Sequence, residues 1–89
     1  MQRRTCLFSG RVQGVGFRCT AHMIAMQHDV TGTVRNLPDG RVKIVIEGPS
    51  QEIDAVIDEL HQRLNGFIER VDQTIEPPTG EFQQFQIKQ

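Results

Sequence analysis

Arginine, glycine and asparagine supply the chemistry this sequence offers, and they fall in two short segments. The first is Gly10-Arg11-Val12-Gln13-Gly14-Val15-Gly16-Phe17-Arg18. Phe17, Ala21, Ile24, Ala25 and His28 recur at helical spacing and predict a helix beginning near Phe17, its apolar face widened by Met23 and Met26. A loop that runs into a helix leaves the first N–H groups without intrahelical acceptors, and the helix dipole adds positive charge there. The backbone of Gln13, Gly14, Val15, Gly16 and Phe17 is therefore a candidate seat for an anion. Arg18 falls in the first helical turn, where a cation opposes the dipole unless a bound anion compensates it, so Arg18 is a candidate functional residue. Two better-known loops are excluded. No Gly-Lys-Ser/Thr follows at P-loop spacing, and Cys19 stands where the third glycine of a dinucleotide fingerprint would be. The same segment also reads as a strand-to-helix turn that uses glycines for their flexibility.

The second segment centres on Asn36, just ahead of Leu37-Pro38-Asp39-Gly40. Asparagine commonly flanks turns. Its side-chain amide is also both donor and acceptor and can hold a water. From the second strand of a sheet it reaches the first loop if the two strands lie close together. The remaining polar residues offer less. His28 is expected at a helix end, partly buried, with His22 and His61 facing solvent. Asp39 belongs to the turn, and Asp54, Asp58 and Glu59 form the wet side of a helix. No nucleophilic triad and no zinc-spaced Cys/His cluster is present, so no metal or cofactor is expected. Cys19, at a helix N-terminus, is the candidate reactive thiol, although no base stands beside it.

The elements that must position these residues follow from periodicity. Thr5 to Val12 alternates as a strand, with Cys6, Phe8 and Val12 on one side and Leu7 on the other. Thr33–Leu37 and Arg41–Glu47 predict a hairpin closed by Pro38-Asp39-Gly40, with Val42, Ile44 and Ile46 facing a core. Ser50 is a predicted N-cap for a second helix, whose stripe is Ile53, Val56, Ile57, Leu60 and Leu64, and Asn65-Gly66 ends it. Ile68–Glu76 predicts a strand with Val71 and Ile75 on one face, and Phe82–Lys88 a last short strand through Phe85 and Ile87. The order strand, helix, strand, strand, helix, strand, plus an extra C-terminal strand, is that of an α+β, ferredoxin-like split βαβ sandwich. Both helices then lie on one face of a mostly antiparallel sheet.

Composition bounds the partners. The chain has 89 residues, a formal net charge of -1, two cysteines, five Phe and no Trp or Tyr. One domain over residues 1–89 is expected. The absence of a basic excess and the scarcity of aromatics argue against nucleic acid, including an RNA-binding module on the same fold. Met1-Gln2-Arg3-Arg4 lacks the apolar run of a signal peptide, and no stretch is long enough for a membrane helix. Two reduced thiols in a cytoplasmic, monomeric protein is the expectation.

Taken together, the block from Gly10 to Arg18, followed by Gly32-Thr33-Val34-Arg35-Asn36-Leu37-Pro38-Asp39-Gly40, resembles the acylphosphatase family. Gly80-Glu81-Phe82 and Phe85-Gln86-Ile87 fit that family's C-terminal strand. The likeness runs from about Thr5 to Ile87, and the length is that of a free-standing member and not of the larger hydrogenase-maturation proteins that carry a similar domain. The resemblance implies hydrolysis of an acyl phosphate, a small-molecule substrate, to a carboxylate and inorganic phosphate without a metal. It assigns phosphoryl binding to Arg18 and the loop backbone from Gln13 to Phe17, and orientation of the attacking water to Asn36. The chain departs from the family's usual pattern at Thr33, at His28-Asp29 and at Cys19. A binding module that senses an anion through the same loop, without turnover, is the alternative.

Overall fold

Seven elements form where alternation and helical spacing place them. The computed structural model describes residues Met1–Gln89 and runs β1 (Gln2–Gly10), α1 (Phe17–Ala25), β2 (Thr31–Asn36), β3 (Val42–Gly48), α2 (Ser50–Arg63), β4 (Ile68–Glu76) and β5 (Phe85–Lys88). The five strands make one sheet in the order β4-β1-β3-β2-β5. All neighbours are antiparallel except β5, which joins β2 in parallel. β1 and β2 point the same way with β3 between them, and β3 and β4 do so with β1 between them. Two βαβ units are thus interleaved, and the fold is the ferredoxin-like α+β sandwich with one added edge strand.

Both helices lie on one face of the sheet because each element turns its apolar side there. Cys6 and Phe8 of β1, Val34 of β2, and Val42, Ile44 and Ile46 of β3 meet Phe17, Ala21 and Ile24 of α1 and Ile53, Val56 and Leu60 of α2. Removing each large side chain of this set from water contributes roughly 1.5–3 kcal/mol. The stripe predicted for α2 is buried in full, Leu64 included. The opposite face of the sheet carries no helix. It displays the alternate residues, Arg3, Thr5 and Leu7 of β1 beside Lys43, Val45 and Glu47 of β3.

Several local expectations are corrected. β1 begins at Gln2 and ends at Gly10, so Val12 is buried from a loop and not from the strand. Arg3 and Arg4, ahead of the strand predicted from Thr5, are strand residues with partners. Arg4 is nine-tenths buried, with Nη1 2.7 Å from Asp54 Oδ1. Ser50 makes no capping bond, because Pro49 occupies the N-cap position and Ser50 starts the helix. Met23, Met26 and Ile75 are exposed, so the apolar face of α1 is narrower than its composition implies and β4 ends in water. Phe82 precedes β5, which starts at Phe85. His22 and His61 are half-buried against the rings of Phe85 and Phe8, with ring centroids 6.4 and 6.2 Å apart. α1 stops at Ala25, and His28 lies beyond it, with Nδ1 3.5 Å from Glu52 Oε1 and Nε2 3.8 Å from Glu59 Oε1.

Candidate active site

The segment between β1 and α1 is pinned at both ends and open in the middle. At its start the N–H of Arg11 donates to the Phe67 carbonyl at 2.9 Å, and Val12 is buried. At its end Phe17 enters the core, its ring centroid 5.0 Å from that of Phe8. Between these anchors Gly14 and Gly16 both adopt φ 78, a left-handed conformation that side chains with a Cβ disfavour, and Gly16 is the N-cap of α1. An added Cβ at either position would meet nothing within 4 Å, so the glycines are required by backbone conformation and not by crowding.

This conformation leaves the loop's donors free. From Gln13 through Cys19, no backbone N–H finds an acceptor within the chain, and the first amide of the region that does is that of Thr20, bonded to the Gly16 carbonyl at 3.0 Å. Arg18 stands among them. Its Nη1 donates to the Lys88 carbonyl of β5 at 3.3 Å, a long bond that leaves the remaining guanidinium donors available, and no carboxylate pairs with it.

Asn36 comes to the same place from across the sheet. β1 and β2 are not neighbours, since β3 separates them, so adjacency of strands does not bring Asn36 to the loop. A side chain does. Gln13 Nε2 donates to the Leu37 carbonyl at 2.8 Å and to the Arg41 carbonyl at 3.0 Å, clasping the glycine loop to the β2–β3 turn. The turn is itself rigid, with Leu37 N–H donating to the Arg41 carbonyl at 2.8 Å and Asp39 accepting from Arg41's amide and guanidinium. Gln13 was read from sequence only for its backbone, and nothing in the spacing signals this role.

The result is a cavity of about 130 Å³ lined by Val12, Gly14, Gly16, Phe17, Arg18, Cys19 and Asn36. Arg18, Asn36, Gly14, Gly16 and Phe17 are thus brought together. Gln13 and Val15 do not line the cavity: Gln13 reaches the turn and Val15 packs partly against the core. No Asp, Glu or His lines it either. A guanidinium and unbonded amides around a small space suit a compact anion, and the arrangement contains no side-chain base.

A family model for acylphosphatase matches residues 4–87. The chain belongs to the acylphosphatase family. The acylphosphatase of Syntrophus aciditrophicus is 43% identical over 88 residues, which cover 98% of this chain and 92% of that relative. The crystal structure of acylphosphatase from Bacillus subtilis matches with a TM-score of 0.90 at 30% identity and covers 100% of both chains. T. kodakarensis HypF matches at a TM-score of 0.85 and 34% identity over 100% of this chain, which spans only 12% of HypF. As an acylphosphatase the chain is an enzyme that hydrolyses acyl phosphates.

The three departures from the family pattern fall in different places. Thr33 lies on the open face of the sheet, away from the cavity. Asp29 is held in the turn after α1, its N–H donating to Glu52 Oε1 at 2.9 Å. Cys19 lines the cavity and is exposed, whereas Cys6 is buried, and both are free thiols. Burial pushes the Cys6 thiol up to about 12, against a smaller lowering by Arg4, which makes it inert at neutral pH.

Proposed function

We propose that the unbonded amides from Gln13 to Cys19 and the Arg18 guanidinium bind the phosphoryl group of an acyl phosphate, and that Asn36 orients the attacking water. The water oxygen forms a bond to phosphorus while the bond from phosphorus to the acyl oxygen breaks. The electron pair leaves on the carboxylate, and the water's proton passes to a phosphoryl oxygen, giving a carboxylate and inorganic phosphate. The carboxylate is a good leaving group, so catalysis rests on position and charge stabilisation and needs no metal. A planar guanidinium offers bidentate contacts to two phosphoryl oxygens, and the amides take the others. The side-chain amide of Asn36 accepts from the water and leaves its lone pair directed at phosphorus.

The observation that carries this reading is the unbroken run of unbonded N–H groups from Gln13 to Cys19, of which Gly14, Gly16, Phe17, Arg18 and Cys19 line one cavity with Asn36. The cavity is small enough to enclose a phosphoryl group and leave the acyl portion outside, so acyl specificity is loose. The chain acts as a monomer in the cytoplasm on small molecules and not on nucleic acid, a reading supported by its net charge of -1 and its two free thiols. Benzoyl phosphate hydrolysis is the test. Wild type turns it over with or without chelator, and acetyl phosphate at a similar rate. Arg18→Ala and Asn36→Ala each lose most of the activity while remaining folded by circular dichroism. Full activity in either variant would refute the assigned role.

A further inference from the structure

The largest concavity of the molecule lies away from the catalytic loop, on the helix-free face of the sheet. It is an open groove of about 620 Å³ whose lining includes Arg35, Lys43, Lys88, Thr33, Gln86 and Phe82. Lys43 and Arg35 are direct partners across β3 and β2, and Arg35 and Lys88 are direct partners across β2 and β5. Residues opposite one another on adjacent strands point to the same face, with strands about 4.8 Å apart, so three cations stand side by side across roughly 10 Å. Like charges in opposed positions destabilise a sheet. No carboxylate of the chain forms an ion pair with them. The carboxylates engage Arg3, Arg4, His28, Arg41, Arg63 and Arg70, and none reaches Arg35, Lys43 or Lys88. Along the row the next residues are Leu7 and then Asp72, which is occupied by Arg70 at 2.9 Å. In a chain of net charge -1, an unneutralised row of this kind is a local device.

We infer that the row Lys43–Arg35–Lys88 is a second anion site, and that its ligand is a short inorganic polyphosphate chain. Successive phosphates of such a chain present their charges in line, as the three cations do. The amide of Gln86 and the hydroxyl of Thr33, partners in the next row of the same face, add hydrogen bonds beside them. A nucleoside is not required. The ring in the groove, Phe82, already has the Arg3 guanidinium over it at 5.2 Å from its centroid. A long polyanion is also disfavoured, because Asp72 continues the row at one end and Glu81 borders the groove. The site is separate from the catalytic one, since none of its three cations lines the loop cavity. It touches that cavity only through the chain: Arg35 precedes Asn36, and the Lys88 carbonyl accepts from Arg18.

Titration calorimetry with inorganic tripolyphosphate at low ionic strength tests the site. Wild type binds tripolyphosphate with a component that persists in Arg18→Ala at one per chain, and added salt weakens it, as expected for exposed charges. Arg18→Ala, which disables the loop, binds it within threefold of wild type. Arg35→Gln/Lys43→Gln weakens binding tenfold or more while keeping the wild-type circular dichroism spectrum, and Lys43→Gln alone weakens it about threefold. The site is overturned if wild type shows no binding at millimolar tripolyphosphate, if Arg18→Ala abolishes binding, or if the double variant binds like wild type. ATP binding more than tenfold tighter than tripolyphosphate would overturn the assignment of the ligand. Because Arg18→Ala separates the two sites, failure here is distinguishable from failure of the catalytic reading.

Discussion

Two polar clusters of this protein have similar ingredients and opposite states. At one end of the open sheet face, Glu47 is 4% exposed and fully engaged. One of its oxygens accepts from Arg3 Nη1 at 2.8 Å, from Thr79 N–H at 3.0 Å and from the Thr79 hydroxyl at 2.9 Å, and the other accepts from Gly80 N–H at 3.0 Å. At the mouth of α1, an arginine and a run of amides have the same donor types, but the amides have no acceptor within the chain and the arginine has only the Lys88 carbonyl at 3.3 Å. The first cluster closes on itself and ties the loop before β5 to the sheet. The second is open, and in the proposed function its acceptor is the phosphoryl group of the substrate. Donors satisfied within the chain hold the fold together, whereas the exposed amides at the start of α1 are left to solvent or to an anion.

Removing each cluster's key charge should therefore separate activity from stability. Arg18→Ala is expected to have the largest effect. Loss of a preorganised, charge-assisted donor costs about a hundredfold or more in kcat/KM on benzoyl phosphate. Arg18 makes only one long bond within the chain, so the denaturation midpoint should stay within experimental error. A large loss of stability in this variant would place Arg18 with Glu47 as a structural group. Asn36→Ala should follow, with a similar loss that falls mainly on kcat, as the proposed orientation of water and not of substrate requires. A change confined to KM would argue against that role.

Glu47→Ala is the reverse case. It leaves the Thr79 and Gly80 amides without an acceptor and Arg3 with only Glu81 and Thr79, and should lower folding stability by about 2–3 kcal/mol while leaving kcat near wild type. The pH dependence has a definite sign. Burial opposes ionisation of Glu47, but the Thr79 amide, Arg3, the Gly80 amide and the Thr79 hydroxyl outweigh it and hold the carboxyl at about 2, below its ordinary 4.5. A carboxyl depressed in the folded state contributes stability that is fully present above about 4.5 and is lost as pH falls toward 2. Urea midpoints of wild type should therefore drop across that window, and those of Glu47→Ala should drop less. Parallel profiles would show that other carboxylates dominate acid unfolding.

Gln13 stands between the two clusters. Its side chain is satisfied, yet it holds the unsatisfied loop against the turn that carries Asn36. Gln13→Ala should cost about 1 kcal/mol of stability. It should also cost roughly tenfold in kcat, as expected when a supporting contact is lost and reacting groups drift. Gln13→Glu keeps the length but places a carboxylate against two carbonyls, and should not rescue. Rescue by Glu would mean that bulk, and not hydrogen bonding, positions the loop.

The contrast also explains what the sequence made legible. Gly14, Gly16 and Arg18 could be singled out because the loop's properties are local: glycine conformation, a helix start and a cation in its first turn; Asn36 could be singled out from the turn that follows it. Core positions of α2 and β3 were legible for the same reason, through period alone. Gln13's side-chain role and the Glu47 clasp were not. Their partners lie 24 to 44 positions away, brought near only by the folded sheet. The misplaced exposures of Met23, Met26 and Ile75 have the same origin, since apolar type and parity do not say where the neighbouring layer ends.

Arg35 offers the smallest and most discriminating test, because it extends the comparison to a third cluster on the face shared with Glu47. There the charges are alike and unmatched, whereas the Arg3–Glu47 pair of a nearby row is matched. Replacing Arg35 with Gln removes the middle charge and hence both repulsions, so the ligand-free protein should become more stable by a few tenths of a kcal/mol, within the range for cross-strand charge pairs. Exposure makes the repulsion sensitive to screening. Raising ionic strength should therefore lift the wild-type Tm by more than that of Arg35→Gln, and the two should converge at high salt. Destabilisation by Arg35→Gln at low salt would show that the arginine's stem packs favourably enough to outweigh its charge. The row would then be paired by packing and not held open for an anion.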